Sequence, residues 1–97
     1  MHARVNTTQW HPEKVADGMR LTEDTIIPSY QNQPGFRGYI LLTEPGGENA
    51  MAITLWDAED QMDSSAAVAR AMVGELKGLL KAPPKTENFE VKFFVTP

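Results

Sequence analysis

Two stretches of this chain, FRGYILLT (36–43) and AMAITLW (50–56), are apolar at nearly every position, and only Glu44-Pro45-Gly46-Gly47-Glu48-Asn49 separates them. Glycine and proline between two apolar runs predict a β-hairpin. A strand with one wet face alternates polar and apolar residues, whereas a strand apolar throughout has both faces covered. In a chain of 97 residues, a single layer of helices covers one face of the hairpin. The other face needs a second cover, and contiguous apolar patches of that size mark interfaces. This requirement predicts a homodimer joined through the open sheet face.

The flanking segments supply the helices. Residues 2–10, HARVNTTQW, hold Val5, two threonines and Trp10 without Gly or Pro, which predicts a strand. Pro12 suits a first helical position, and Val15, Met19, Thr22, Ile26 and Tyr30 then recur at helical spacing on one face. Pro28 cannot donate to the helical ladder, so this helix is expected to end or kink within a turn of Ile27. After the hairpin, Asp57 stands where an N-cap belongs, with Asp60 three residues on. Met62, Ala66, Ala69, Val73, Leu76 and Leu80 form the cleanest helical stripe, interrupted only by Gly74 and Gly78, which permit close packing or a local break. Pro83-Pro84 ends it, and NFEVKFFV (88–95) reads as the last strand, with Phe89, Val91, Phe93 and Val95 on one face. The order is β-α-β-β-α-β, the split arrangement of an α+β ferredoxin-like domain with an antiparallel sheet and two helices on one face.

Composition removes several functions. Thirteen Asp and Glu against nine Lys and Arg give a net charge of −4, which argues against nucleic acid, because that affinity rests on neutralised phosphates. Cysteine is absent and only His2 and His11 are present, so no thiolate or histidine-rich metal site is expected. No apolar run reaches the ~20 residues of a membrane span, and the start lacks a signal-peptide core. The expectation is one small, acidic, cytoplasmic domain spanning 1–97, without membrane or nucleic-acid partners.

Pro34-Gly35-Phe36-Arg37-Gly38-Tyr39, followed by Ile53-Thr54-Leu55-Trp56-Asp57 and then Glu59-Asp60 ahead of a helix, resembles the antibiotic biosynthesis monooxygenase family. The resemblance runs nearly end to end. It implies a ferredoxin-like subunit, a dimeric α/β barrel joined sheet to sheet, and a pocket between each sheet and its helices. Members include cofactor-free quinol and anthrone monooxygenases, haem-degrading enzymes, isomerase-like relatives and proteins with no known activity. The haem-degrading and anthrone-oxidising branches carry an Asn on the first strand, matched here by Asn6. The haem branch also uses a His on the second helix as axial ligand, with a Trp nearby, and residues 57–82 contain neither. Haem degradation is therefore not expected.

Asn6 has poor strand propensity and must satisfy its amide if buried; it is either a pocket donor or an edge-strand residue facing water. Trp56 and Trp10 could stack on a flat substrate, or could pack the core or the dimer interface. Tyr30 and Tyr39 could donate to a substrate oxygen, although Tyr39 could equally face the dimer seam. Met19, Met62 and Met72, with Ile26, are expected to form deformable walls around a cavity. Asp57, Glu59, Asp60 and Asp63 are explained by helix capping and the macrodipole without a metal.

Two functions follow. In the first, a cofactor-independent monooxygenase acts on a quinol, anthrone or polycyclic phenol, with Asn6, Trp56 and Tyr39 as the chemical groups and Met19, Ile26, Tyr30, Met62 and Met72 as the pocket. In the second, a non-catalytic dimeric barrel binds a small apolar metabolite or does nothing beyond assembly. A monomer cavity lined by Asn6 and Met19 would favour the first.

Overall fold

The computed structural model describes residues 1–97. Four antiparallel strands, β1 (His2–Gln9), β2 (Phe36–Thr43), β3 (Asn49–Trp56) and β4 (Lys85–Glu90), form one sheet in the order β2-β3-β1-β4. Between β1 and β2 runs a helical segment, consisting of a 3₁₀ turn (Pro12–Lys14), α1 (Val15–Leu21), a π-helical turn (Thr22–Ile26) and α2 (Ile27–Gln31). Between β3 and β4 lie α3 (Glu59–Ser64) and α4 (Ala66–Glu75). This is the ferredoxin-like arrangement expected from the sequence.

Register decides what each side chain meets. Arg4 pairs with Thr54, Asn6 with Ala52 and Thr8 with Ala50; with Tyr39 opposite Thr54 and Leu41 opposite Ala52, these residues face the helices. Trp10, Ile26, Tyr30, Ala50, Trp56, Met62 and Leu76 form the buried core on that side. The opposite face carries Ile40, Leu42 and Met51, all exposed, together with Ile53 and Val5 of the same alternation. The hairpin's second apolar face is thus uncovered within one chain.

The first helix passes through Pro28 and ends at Gln31, within a turn of Ile27 as expected; the π turn one turn earlier widens the backbone where the proline lacks an N–H and crowds the preceding turn. The structure departs from the sequence reading in three places. Asp57 is not the cap of α3, which is Ala58 with no side-chain cap bond; the Asp57 carboxylate instead pairs with Arg37 at 3.0 Å.

The second helix does not run unbroken to Leu80. It breaks at Ser65 and ends at Glu75, and Gly78, at φ +88, turns the chain so that Leu80 bridges Trp10 beside the sheet. Finally, β4 spans Lys85–Glu90 rather than 88–95. β1 begins at His2, opposite Glu90, and one further bond joins the Val91 N–H to the Met1 carbonyl at 2.9 Å. Past that bond the strand has no neighbour, and Phe93, Phe94 and Val95 lie exposed outside the sheet.

Candidate functional site

A cavity of about 40 Å³ lies between sheet and helices. Asn6 from β1, Tyr39 from β2, Ile26 and Tyr30 from the first helical segment and Met72 from α4 all line it. The structure therefore brings five of the eight sequence candidates together. It also settles the orientation of the tyrosines, since both face the cavity and neither faces the open side of the sheet.

Three candidates lie elsewhere. Trp56 is 0% exposed, packs edge-on against Tyr30 and Phe36, and donates its indole N–H to Thr54 Oγ1 at 2.9 Å. A side chain so enclosed has no free donor for a ligand. Met62 is buried in the core and Met19 is half-buried, but neither lines the cavity. Met19 is on α1, whose tight contact with the sheet is made by Gly18 against the Trp10 ring.

The sequence reading gave no role to Thr8, Thr54 and Arg4, although all three are buried. Thr8 Oγ1 accepts the Trp10 indole N–H at 2.9 Å and donates to the Ala50 carbonyl at 3.3 Å. This relay fixes Trp10 in the cavity wall, where the sequence had left it between core packing and stacking. Thr22 opens the π turn and donates to the Gly18 carbonyl at 2.8 Å. It and Ile26 both line the cavity, and π turns inside helices recur at functional sites. The threonines of β1 and β3 carry one usable signal: Thr8 and Thr54 each sit two residues before a tryptophan, in reach of its N–H.

Asn6 is on a central strand, not an edge, and is half-buried. Thr86 on β4 donates its hydroxyl to Asn6 Oδ1 at 2.5 Å. That bond orients the amide and leaves its N–H₂ as the donating end. Burial pushes the Tyr39 hydroxyl up to about 12, and the neighbouring Tyr30 adds to the effect. Burial raises Tyr30 too, partly opposed by the positive charge of Arg4. Both tyrosines are therefore neutral hydrogen-bond donors at physiological pH and neither is a base.

The small cavity does not stand alone. A groove of about 890 Å³ runs between α4 and the β1–β4 edge, and it shares Asn6, Ala69, Val73 and Pro84 with the cavity wall. None of the residues of α4 is buried, so this helix lies loosely over the sheet. Ala66, Ala69 and Gly74 leave the groove unfilled. No three His, Asp or Glu side chains converge where they could hold a metal ion, and no helix is long and apolar enough to cross a membrane.

The fold is shared by proteins of known structure. An antibiotic biosynthesis monooxygenase superposes with a TM-score of 0.77 at 13% identity, over 94% of this chain and 98% of that one. The chain has the fold of the antibiotic biosynthesis monooxygenases. The haem-degrader MhuD from Mycobacterium tuberculosis, solved with two haems in its active site, matches with a TM-score of 0.76 at 18% identity over 99% of this chain and 100% of that one. A monooxygenase from the ActVA-Orf6 gene of Streptomyces coelicolor, solved with the ligand nanaomycin D, matches at 0.72 with 19% identity, over 99% and 91%. No protein-family profile and no curated protein sequence matches the chain.

Proposed function

We propose that this protein is a cofactor-independent monooxygenase that oxidises a quinol, an anthrone or a polycyclic phenol and works as a homodimer. The observation that carries the reading is the position of Asn6, whose amide N–H₂ stands where the apolar cavity meets the open groove. A substrate lying in the groove would bring its oxygen to Asn6, with the Tyr30 and Tyr39 hydroxyls deeper in the cavity wall.

Substrates of this class supply their own electrons. Loss of one proton to water leaves a carbanion or phenolate; a new C–O bond to O₂ gives a hydroperoxide; the O–O bond then breaks, water leaves and a quinone remains. Neutral donors suit the first intermediate, because they stabilise negative charge on oxygen without themselves exchanging a proton. The likeness to two monooxygenases of this fold supports the class of reaction.

Dimerisation follows from the uncovered face. Leu42 is 51% and Phe89 49% exposed, and sheet-to-sheet burial of ~1,600 Å² would remove them from water. The tail residues Phe93 and Val95, 87% and 86% exposed, are further apolar surface that one chain leaves open.

One observation favours a second reading. A cavity of about 40 Å³ holds about three waters, since each needs roughly 10–15 Å³, and admits no polycycle unless α4 moves. A non-catalytic barrel that does nothing beyond assembly, or binds a small apolar metabolite in the groove alone, requires no such movement. Oxygen uptake by the wild-type protein over a panel of anthrones and hydroquinones separates the two. Turnover with any of them supports the enzyme; none, with binding retained, supports the binding protein.

A further inference from the structure

Arg4 is 5% exposed and makes no ion pair. The four pairs in the structure join Arg37, Lys81, Lys85 and Lys92 to carboxylates. Arg4 Nη1 donates to Ser65 Oγ at 2.8 Å and Nη2 to the Met62 carbonyl at 2.6 Å. Those bonds give the guanidinium two neutral acceptors at the end of α3 and supply no countercharge. Buried charges are ordinarily paired, so this guanidinium lacks the partner that burial calls for.

The same side chain lines the groove. Asn88 stands directly opposite Arg4 in the β1–β4 ladder, as Thr86 stands opposite Asn6, which makes the floor a row of polar side chains. Arg70 adds a second cation from α4, against a single carboxylate, Asp63. In a chain of net charge −4, this groove is a local positive site with an apolar wall at Ala69, Val73 and Pro84.

We propose that the groove binds an aromatic carboxylate, its anion held between Arg4 and Arg70 and its ring laid along α4. This rests on the reading that groove and cavity together take an aromatic ligand, and it narrows the substrate to one carrying an acid group. The planar fork of Arg70 matches a carboxylate with two parallel bonds, Arg4 adds its unpaired charge through the N–H groups that Ser65 and Met62 leave free, and the groove is far larger than a bare inorganic anion requires.

The test compares 2-naphthoate with the neutral 2-naphthamide by calorimetry on the wild-type protein. The expected result is tighter binding of the acid by roughly 10- to 100-fold, as for a charge-assisted bond, falling with added salt. Arg4→Met and Arg70→Gln are each expected to reduce that preference while naphthamide affinity stays unchanged, which a merely structural role would not produce. If Arg4→Met fails to fold, Arg70→Gln and the acid–amide contrast still decide. Equal affinity for acid and amide in the wild type overturns the anion site and leaves the aromatic pocket standing. No binding of either overturns both. Displacement of naphthoate by inorganic phosphate at equal concentration overturns the claim that the groove selects an aromatic acid.

Discussion

Gly18→Ala tests the packing that forms the cavity wall. A methyl group at this position would lie 2.6 Å from Trp10 Cη2 and 2.8 Å from Cε3, and closer still to Cζ3. The ring has nowhere to go. Trp10 is 3% exposed, its N–H is held by Thr8 Oγ1, and its own backbone N–H is bonded to the Glu48 carbonyl at 2.7 Å. Two effects compete. Replacing glycine in a helix interior gains ~1 kcal/mol, whereas overpacking a tight core costs ~1–3 kcal/mol; a rigid ring with three atoms in conflict lies at the upper end. The net loss is about 1–2 kcal/mol, which lowers Tm by roughly 5–15 °C in a domain of this size. Gly74→Ala is the control, because nothing lies within 4 Å of the added carbon; it is expected to raise Tm by a few degrees. Thermal melts of the two variants beside wild type measure both. Equal stability of Gly18→Ala and wild type, or a loss in Gly74→Ala as large as in Gly18→Ala, refutes the packing described for Trp10.

Three further outcomes are expected. Leu42→Asp places a charge on the open sheet face and should convert a dimeric mass to a monomeric one by light scattering at micromolar concentration; a monomeric wild type would end the dimer proposal. Tyr39 resists ionisation to about 12 while the unfolded chain ionises at 10.0, so the native state holds more protons between those values and its stability falls as pH rises across them. In urea melts from pH 9 to 12 the Tyr39→Phe variant should lose less stability than wild type, and identical slopes would show that Tyr39 is not held neutral by burial. Hemin titration should give no sharp Soret shift saturating at one equivalent, since no histidine stands on α3 or α4; such a shift, abolished by one point mutation, would place the protein with the haem-binding branch.

The hairpin and the first helix were legible because their patterns have single explanations. Continuous apolar character between glycine-rich turns leaves few alternatives to paired strands, and the spacing from Val15 to Tyr30 fits only a helix. The site was half legible. Asn6 stands out because asparagine is poor in a strand, and Tyr30 followed from helical periodicity; Met72 was placed by its apolar helix face, and Tyr39 was left between the pocket and the dimer seam, because its strand is apolar on both faces. The enclosure of Trp56 was not legible, because apolar periodicity does not show whether an indole N–H is free; Thr54, two residues before it, is the one sign in the sequence that it is not.

Arg4 was invisible for a related reason, since a charged residue on a strand reads as solvent-facing unless its partners are known. Those partners also explain the break in the second helix. Met62's carbonyl is taken by Arg4 Nη2 and by Ser65 Oγ, a side-chain competition that bends helices and leaves no trace in the apolar stripe. The last strand was misplaced because its apolar alternation belongs to the exposed tail. The residues that do pair, Lys85 to Glu90, are all exposed and are set by the register of β1.

The measurement that bears most directly on the proposed function is oxygen uptake by wild type and Asn6→Ala with the same anthrone, run beside thermal melts of both. Removing one donor aimed at developing charge typically costs ~10²–10³ in kcat. Folding should change little, because alanine removes a half-buried amide together with its desolvation cost and leaves only Thr86 without its acceptor. The expected result is a fall in kcat of that size with Tm nearly unchanged. Equal turnover in the two proteins would contradict a role for Asn6 in the chemistry.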